Sequence, residues 1–237
     1  MPPAVTVRII NNKGVKSMKK KILALACAVA CVSAFSAVFA ACSGDGGGTE
    51  VEVPEGMKEY KLEAEYTPVA DLIGGAQSGS ASGYDLIQES SAESVSNGYF
   101  IHNIHMTDCT ITFDFTAERA GTAAIYLRLI TQWGNSTTFT PENLGVVLNG
   151  TDISYSSLLV KGSSDDAPDF RDYLVTQSAA IKQGANKLEI IVRENTINTY
   201  THSTGGPAID CVKLVSDAGI SWTPLTENLD HVGQIEV

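Results

Sequence analysis

Residues 97–129 constrain the fold of this chain most, because two segments within them have the period-two alternation of half-buried β-strands. In the first segment, apolar residues at positions 109, 111, 113 and 115 alternate with polar ones. In the second, apolar residues at positions 125, 127 and 129 alternate with Tyr126 and Arg128. The polar connection between them contains Gly121, which adopts positive φ at little steric cost. The sequence therefore predicts an antiparallel hairpin at the centre of the domain.

Further segments with the pattern of short strands occur on both sides of this stretch. They are residues 60–66, 84–88, 144–148, 154–160, 172–176, 187–193 and 208–215. Turn signals such as Asn149-Gly150 and Gly184-Ala185-Asn186 separate them, and no long segment has helical periodicity. Many short strands with frequent turns predict an all-β sandwich. Its long connections, at 134–143, 161–171 and 195–207, are expected to gather at one end, where binding sites are common.

The amino terminus has the pattern of an export signal. Three lysines at 19–21 precede an uncharged apolar run over residues 22–41, and Cys42 and a glycine-rich segment follow. This order predicts a signal peptide, with Met18 as the true start. It resembles a bacterial lipoprotein signal, which implies cleavage before Cys42, lipidation of its thiol and anchoring on the extracellular face of the cell membrane. Plain cleavage after Ala40 and an uncleaved membrane-spanning helix are the alternatives.

Charge limits the partners of the exported part. The chain has a formal net charge of −11, and its first 41 residues contain no acid, so the remainder is more acidic still. Such a surface repels nucleic acid and anionic lipid, which leaves the lipid anchor as the only expected membrane contact. The two cysteines of the predicted domain, Cys109 and Cys211, would face opposite sides of a sheet by their parity. Two unpaired thiols are therefore favoured over a disulfide.

The order of several short motifs resembles a known family. The motifs are Glu63-Ala64-Glu65, a Gly/Ser-rich loop, Asn97-Gly98-Tyr99-Phe100-Ile101, Ala120-Gly121-Thr122, Val147-Leu148-Asn149-Gly150, Gly184-Ala185-Asn186 and Ala208-Ile209-Asp210. In this order they resemble carbohydrate-binding modules of families six and thirty-five, over residues 60–215. The resemblance implies an all-β fold, a β-sandwich jelly roll of the galactose-binding-like type, that binds polysaccharide or oligosaccharide.

The signal and the resemblance together divide the chain into four parts. Residues 1–41 are upstream residues and signal peptide, and residues 42–57 are a flexible tether. Residues 58–216 form the carbohydrate-binding-module-like sandwich, and residues 217–237 are a C-terminal tail beyond its last strand.

The resemblance also implies a structural calcium ion. Its ligands carry over to Glu63, Glu65 and Asp210, with backbone carbonyls completing the shell. Calcium binds six to eight oxygens, and two carboxylates on one face of the first strand with a third on a neighbouring last strand would supply the core of that shell. The alternative interpretation is that these are solvated surface acids.

Sugar-binding residues carry over to the long loops. They are Trp133, Asn135, Tyr200 and His202, which combine aromatic faces for pyranose rings with polar groups for hydroxyls. For Trp133, a core position at the end of a strand is the alternative.

No catalytic motif is recognisable in the sequence, so an enzyme is not predicted. The predicted function is that of an exported, lipid-anchored, noncatalytic domain that captures polysaccharide or oligosaccharide at the cell surface, with an enzyme partner there left open. A structural or adhesive jelly roll without sugar binding is the first alternative, and a small glycan hydrolase is the second.

Overall fold

The computed structural model describes residues 53–70, 83–164, 166–194 and 206–232, together with residues 48, 51 and 72. All of these belong to one compact unit, Gly44–Val237. The predicted signal and Cys42 lie outside the described residues, as do Tyr200 and His202. Within the described part, no helix has the length and hydropathy needed to cross a bilayer.

The described residues form thirteen β-strands and four short 3₁₀ turns. The strands are β1 (Lys58–Glu63), β2 (Ile87–Glu89), β3 (Tyr99–Ile101), β4 (Thr110–Ala117), β5 (Gly121–Thr131), β6 (Thr137–Phe139), β7 (Leu144–Leu148), β8 (Thr151–Asp152), β9 (Leu158–Val160), β10 (Arg171–Ile181), β11 (Gly184–Val192), β12 (Pro207–Ser216) and β13 (Ile220–Trp222). The turns are Ala64–Tyr66, Gly83–Leu86, Gln132–Gly134 and Thr226–His231.

Two antiparallel sheets make the sandwich. Sheet A has the order β10-β5-β12-β3-β2, with β1 also paired to β12, and sheet B has the order β13-β4-β11-β7-β8. The long strands β4, β5, β7, β10, β11 and β12 alternate between the two sheets along the chain, as in a jelly roll. The predicted all-β fold class is confirmed.

The predicted central hairpin is wrong. β4 pairs with β11 and β13 in sheet B, whereas β5 pairs with β10 and β12 in sheet A. Residues 118–120 therefore cross from one sheet to the other. Both strands bury one face in the same core, but from opposite sides. Two strands paired in one sheet and two strands in facing sheets have the same alternation of apolar and polar residues, so the sequence pattern does not distinguish them.

The core lies between the sheets and is built from their alternating inward side chains. Those that are almost completely buried include Ile111, Phe113, Ile125, Leu127, Leu129, Leu144, Leu188, Ile190, Val212 and Leu214. Burial of this apolar surface is the main favourable contribution to folding. Cys109 belongs to this core, whereas Cys211 is buried outside it, and both thiols are free. The predicted unpaired thiols are confirmed.

The C-terminal segment is more integrated than the sequence indicated. Sequence analysis ended the strands at residue 215, but β13 adds a strand to sheet B beside β4. In the turn Thr226–His231, the Asn228 side-chain amide donates hydrogen bonds to the carbonyls of Glu65 (2.8 Å) and Thr67 (2.7 Å). The segment is thereby tied to the end of β1.

Two of the long connections meet, as predicted. The backbone N–H of Gly134 donates to the carbonyl of Ser163 at 3.1 Å, and that of Gly162 donates to the Ser136 hydroxyl at 3.3 Å. Residues 154–157, in contrast, were predicted as strand and lie outside β9.

Candidate functional site

A cluster of acidic side chains lies where β1 meets β12. Glu63 pairs directly with Cys211 across these strands, so the two side chains share one face of sheet A. A register shift between Ile209 and Cys211 makes Asp210 an extra residue in β12, as in a β-bulge. Potential ligand atoms of Glu63, Asp210 and Cys211 consequently lie within 4.8 Å of one another.

Glu65 occupies a different position from the one predicted. β1 ends at Glu63, and Glu65 lies in the following 3₁₀ turn, Ala64–Tyr66, instead of on the same strand face. Its side chain is completely buried, which does not fit the alternative of a solvated acid. Its Oε1 accepts a hydrogen bond from Asn97 Nδ2 at 3.0 Å. Glu65 is therefore beside the group formed by Glu63 and Asp210 but is not part of it.

The connection between β2 and β3 covers the acids and supplies hydrogen-bond donors. The backbone N–H of Ser96 donates to Asp210 Oδ1 at 2.9 Å, and its hydroxyl donates to Glu63 Oε2 at 2.5 Å. Arg128 Nε lies 3.1 Å from Asp210 Oδ2, but this N–H donates to the carbonyl of Ser94 at 3.0 Å. The contact between Arg128 and Asp210 is therefore an ion pair without a hydrogen bond.

Burial shifts the acid–base equilibria of this cluster. Desolvation, reinforced by the charges of Glu63 and Asp210, raises the pKa of Glu65 to about 8 although the Asn97 hydrogen bond opposes the shift. Desolvation likewise raises the pKa of Asp210 to about 7, with the Ser96 hydrogen bond opposing it. Burial also raises the pKa of the Cys211 thiol well above its usual value.

Two buried oxygens of the cluster make no hydrogen bond to any described residue. They are Glu65 Oε2 and Asp210 Oδ2. Buried polar atoms are normally satisfied, so each such atom suggests a missing partner. Carboxylate oxygens are hard ligands of the kind that calcium binds, and the donor set therefore fits this ion.

A groove of about 550 Å³ runs beside the turn Ala64–Tyr66, along β4 and β13. Its apolar lining includes Tyr66, Pro68, Trp222 and Leu225. Its polar lining comes mainly from strands of sheet B, with Thr112, Asp114, Thr116, Asn186 and Ser221. The hydroxyls of Thr116 and Ser221 are 2.8 Å apart and exposed. The groove thus combines aromatic surface with hydroxyl and carboxylate groups.

Asn186 supports the groove instead of facing a ligand. Its side chain is almost completely buried and donates to the carbonyls of Lys182 (2.8 Å) and Gly184 (2.9 Å). Its oxygen accepts from the backbone N–H of Lys182 (3.1 Å) and from the Asn149 amide (2.9 Å). Because these hydrogen bonds already engage both the oxygen and the nitrogen of its side-chain amide, Asn186 holds the floor of the groove in place.

The predicted sugar-binding residues are only partly described. Trp133 lies in the turn Gln132–Gly134, and Asn135 follows it with an exposed side chain. The buried Gln132 holds this turn against Asn103, whose backbone N–H donates to Gln132 Oε1 at 3.0 Å. Because Tyr200 and His202 lie outside the described residues, the four-residue loop site stays a prediction.

Among known proteins, similarity to this chain is found in solved structures. No protein-family model and no curated protein matches the chain. A family 35 carbohydrate-binding module from an environmental isolate is 16% identical, with a TM-score of 0.46, and the match covers 70% of this chain and 98% of that one. A CBM35 from Cellvibrio japonicus Abf62 is 13% identical, covering 69% and 97%, with a TM-score of 0.46.

A third similar structure, the CBM35 from Paenibacillus barcinonensis, is 19% identical, covering 66% of this chain and 98% of that one, with a TM-score of 0.44. All three are modules of family thirty-five, one of the two families that the sequence resembles. These TM-scores are low, so the fold assignment rests on the strand order described above.

Sequence analysis missed residues that surround both places. Strand pairing brings Arg128 and Cys211 to the acidic cluster, and the connection between β2 and β3 brings Ser96. In the sequence, only the Asn97-Gly98 motif marked this connection. Trp222 was not among the predicted sugar-binding residues, because it lies in the segment that sequence analysis assigned to a C-terminal tail. Its place in the groove depends on β13 joining sheet B, for which a three-residue strand gives no reliable signal.

In metal-free protein, we expect the free energy of unfolding to fall as pH rises from about 5 to about 8.5. The raised pKa values of Glu65 and Asp210 mean that the folded state binds more protons than the unfolded state across this interval. This contribution to stability is fully present below the pKa values that the two carboxyls have in the unfolded chain. It is lost as pH rises through the pKa values that they have in the folded protein. Urea unfolding in the presence of chelator measures the slope.

Matched variants separate this effect from general pH sensitivity. Glu65→Gln removes one titrating group and should reduce the slope, whereas Asp114→Asn changes an exposed carboxylate and should leave it unchanged. A stability of the wild type that is independent of pH over this interval would contradict the prediction.

Proposed function

We propose that this domain binds polysaccharide or oligosaccharide without cleaving it, and that the glycan lies in the groove beside Tyr66 and Trp222. The observation that carries the proposal is the composition of the groove lining, in which two half-buried aromatic residues, Tyr66 and Trp222, lie among several hydroxyl groups and one carboxylate. Sugar rings pack their C–H groups on aromatic faces, and their hydroxyls bond to polar side chains nearby.

Binding without cleavage is the function that the acids of the groove favour. Among the described residues that line it, Asp114 is the only acid. Most glycoside hydrolases use two carboxylates on opposite sides of the scissile bond. The other acids, Glu63, Glu65 and Asp210, line no part of the groove.

We expect Trp222→Ala to weaken glycan binding by about tenfold or more, or about 1.4 kcal/mol. A glycan array identifies the ligand, and calorimetry on the best glycan measures the affinity. Asp114→Ala, at an exposed position, should also weaken binding without affecting the core, to which Trp222 contributes. The exposed Leu159→Ala is the control and should bind like wild type.

Trp133→Ala distinguishes the groove from the loop site of Trp133, Asn135, Tyr200 and His202. Loss of binding in this variant, with binding retained in Trp222→Ala and Asp114→Ala, would contradict the groove and support the loops. Absence of binding to any plant or microbial glycan would favour the alternative of a structural or adhesive domain.

We further propose that calcium is the structural cofactor of the domain, held by Glu63 and Asp210, whose ligand atoms lie within 4.8 Å of each other, with Glu65 beside them as the third carboxylate of the shell. The buried oxygens without hydrogen bonds, on Glu65 and Asp210, support this proposal. Because burial raises the pKa values of Glu65 and Asp210, calcium would replace the protons that these carboxyls otherwise bind, and it would hold the end of β1 against β12. Ser96 and Asn97 orient the carboxylates by hydrogen bonds to Glu63, Asp210 and Glu65.

Calcium at a hundredfold excess over its dissociation constant should stabilise the domain by about 3 kcal/mol, since it binds the folded state alone. Thermal melting with added calcium and with chelator measures this change. Asp210→Asn should abolish the response, and Asp114→Asn, the same substitution at an exposed position, should preserve it. A melting temperature that is unchanged by calcium after verified metal removal would contradict the site.

We also propose that the domain is exported and anchored to the outer face of the cell membrane through a lipid on Cys42. The lysines at 19–21, the apolar run and the cysteine that follows it support this proposal. In this setting the domain captures glycan at the cell surface, where an enzyme partner would act on it.

Cys42→Ala should move the protein from the membrane fraction to the soluble fraction, because the lipid has no attachment site. Cell fractionation with immunoblotting measures the distribution, and Cys109→Ala serves as the control that keeps Cys42. Equal membrane retention of Cys42→Ala and wild type would show that the apolar run itself is the anchor.

A further inference from the structure

Cys211 gives the acidic cluster a ligand that calcium does not use. The potential ligand atoms of Glu63, Asp210 and Cys211 lie within 4.8 Å of one another. Cross-strand pairing places Cys211 beside Glu63, and the register shift before Cys211 turns Asp210 toward the same place. Two strands of a rigid sheet therefore present two carboxylates and a thiol to one point.

A second observation indicates that this point is suited to a cation. Asp210 is completely buried, and its Oδ2 accepts no hydrogen bond from any described residue. Arg128 provides an ion pair at 3.1 Å, but it also pairs with Asp172 at 2.9 Å. Lys213 also pairs with Asp172 at 2.9 Å, and Lys61 lies 3.7 Å from Glu63. Asp210 Oδ2 nevertheless stays without a hydrogen bond, and a buried oxygen of this kind favours a cation as its partner.

The chemistry of the donors selects the class of metal. Calcium binds oxygen ligands, whereas a thiolate forms strong bonds with softer divalent ions such as Zn²⁺ and Cd²⁺. Zinc is usually four-coordinate, so the three side chains here would fill three positions of its shell and leave the fourth to a water molecule.

We propose that Glu63, Asp210 and Cys211 form a mixed carboxylate–thiolate site for a thiophilic divalent cation, with Zn²⁺ as the expected ion. On binding, the S–H bond of Cys211 breaks, a sulfur–metal bond forms, and the proton passes to solvent. The site shares Glu63 and Asp210 with the proposed calcium site, so the two metals exclude each other. It does not depend on glycan binding.

Cd²⁺ is the probe, because a cadmium–thiolate bond has an ultraviolet charge-transfer band. Titration of metal-free full-length protein with Cd²⁺ should produce this band. The difference in band intensity between the wild type and Cys211→Ser should saturate at about one Cd²⁺ per chain. Cys109→Ser is the matched control: Cys109 is also buried but is outside the cluster, and the variant should keep the wild-type band.

Glu63→Gln keeps the thiol and changes a side chain at the edge of the cluster. This variant therefore tests the site even if Cys211→Ser does not fold. We expect it to weaken Cd²⁺ binding by about tenfold or more. A wild-type band equal to that of folded Cys211→Ser, or a Cd²⁺ affinity unchanged by Glu63→Gln, would overturn the inference.

Calcium competition separates this inference from the proposed calcium site. Displacement of the Cys211-dependent band by excess calcium supports both sites. A Cys211-dependent band together with a melting temperature that calcium leaves unchanged in metal-free protein supports the cadmium site and contradicts the calcium proposal. A calcium-dependent melting temperature without any such band contradicts this inference alone.

Discussion

Much of this structure depends on one constraint: the buried carboxylates at the junction of β1 and β12 need hydrogen-bond donors and positive charge to replace the water that they lose. Asp210 and Glu65 are both removed from water, and each obtains donors from the connection between β2 and β3, through Ser96 and Asn97. The same connection is also anchored by the buried side chain of Val95, which packs with Phe100 and Phe170, and by the Arg128 hydrogen bonds to the Ser94 carbonyl. Hydrogen bonding to the buried acids and hydrophobic burial therefore hold this segment together.

The same constraint reaches the groove through one turn of backbone. In Ala64–Tyr66, Glu65 points to the acidic cluster while Tyr66 lines the groove. Asn97 Nδ2 bonds both Glu65 Oε1 (3.0 Å) and the Tyr66 hydroxyl (2.5 Å), and Asn228 holds the Glu65 carbonyl at 2.8 Å. The wall of the candidate glycan site is thus built from residues that also order the acidic cluster, so the proposed cation would also help to position this wall.

The difference between the expected hairpin and the observed sandwich shows what hydrophobic alternation measures. Alternation at 111–115 correctly reported a strand, β4, with one buried face, whereas β5 at 125–129 is a strand buried on both faces, because Tyr126 and Ile130 pack in clusters outside the main core. It contains no information on the partner of either strand, and the two inner faces of a sandwich bury side chains in one core. The assignment of β4 to sheet B and β5 to sheet A is decided by long-range pairing with β11 and β12, which are distant in the sequence.

The sequence by itself determined the all-β class, most of the long strands and the separation of Cys109 from Cys211, because these depend on local periodicity and turn residues. It also indicated that Glu63 and Asp210 would meet, through a resemblance in motif order. Only the tertiary structure decided that Glu65 leaves the strand for a buried turn, that Cys211 joins the acids, and that Trp222 borders a groove. Each of these outcomes depends on register, a bulge or a short terminal strand, and these are set by contacts between residues far apart in the chain.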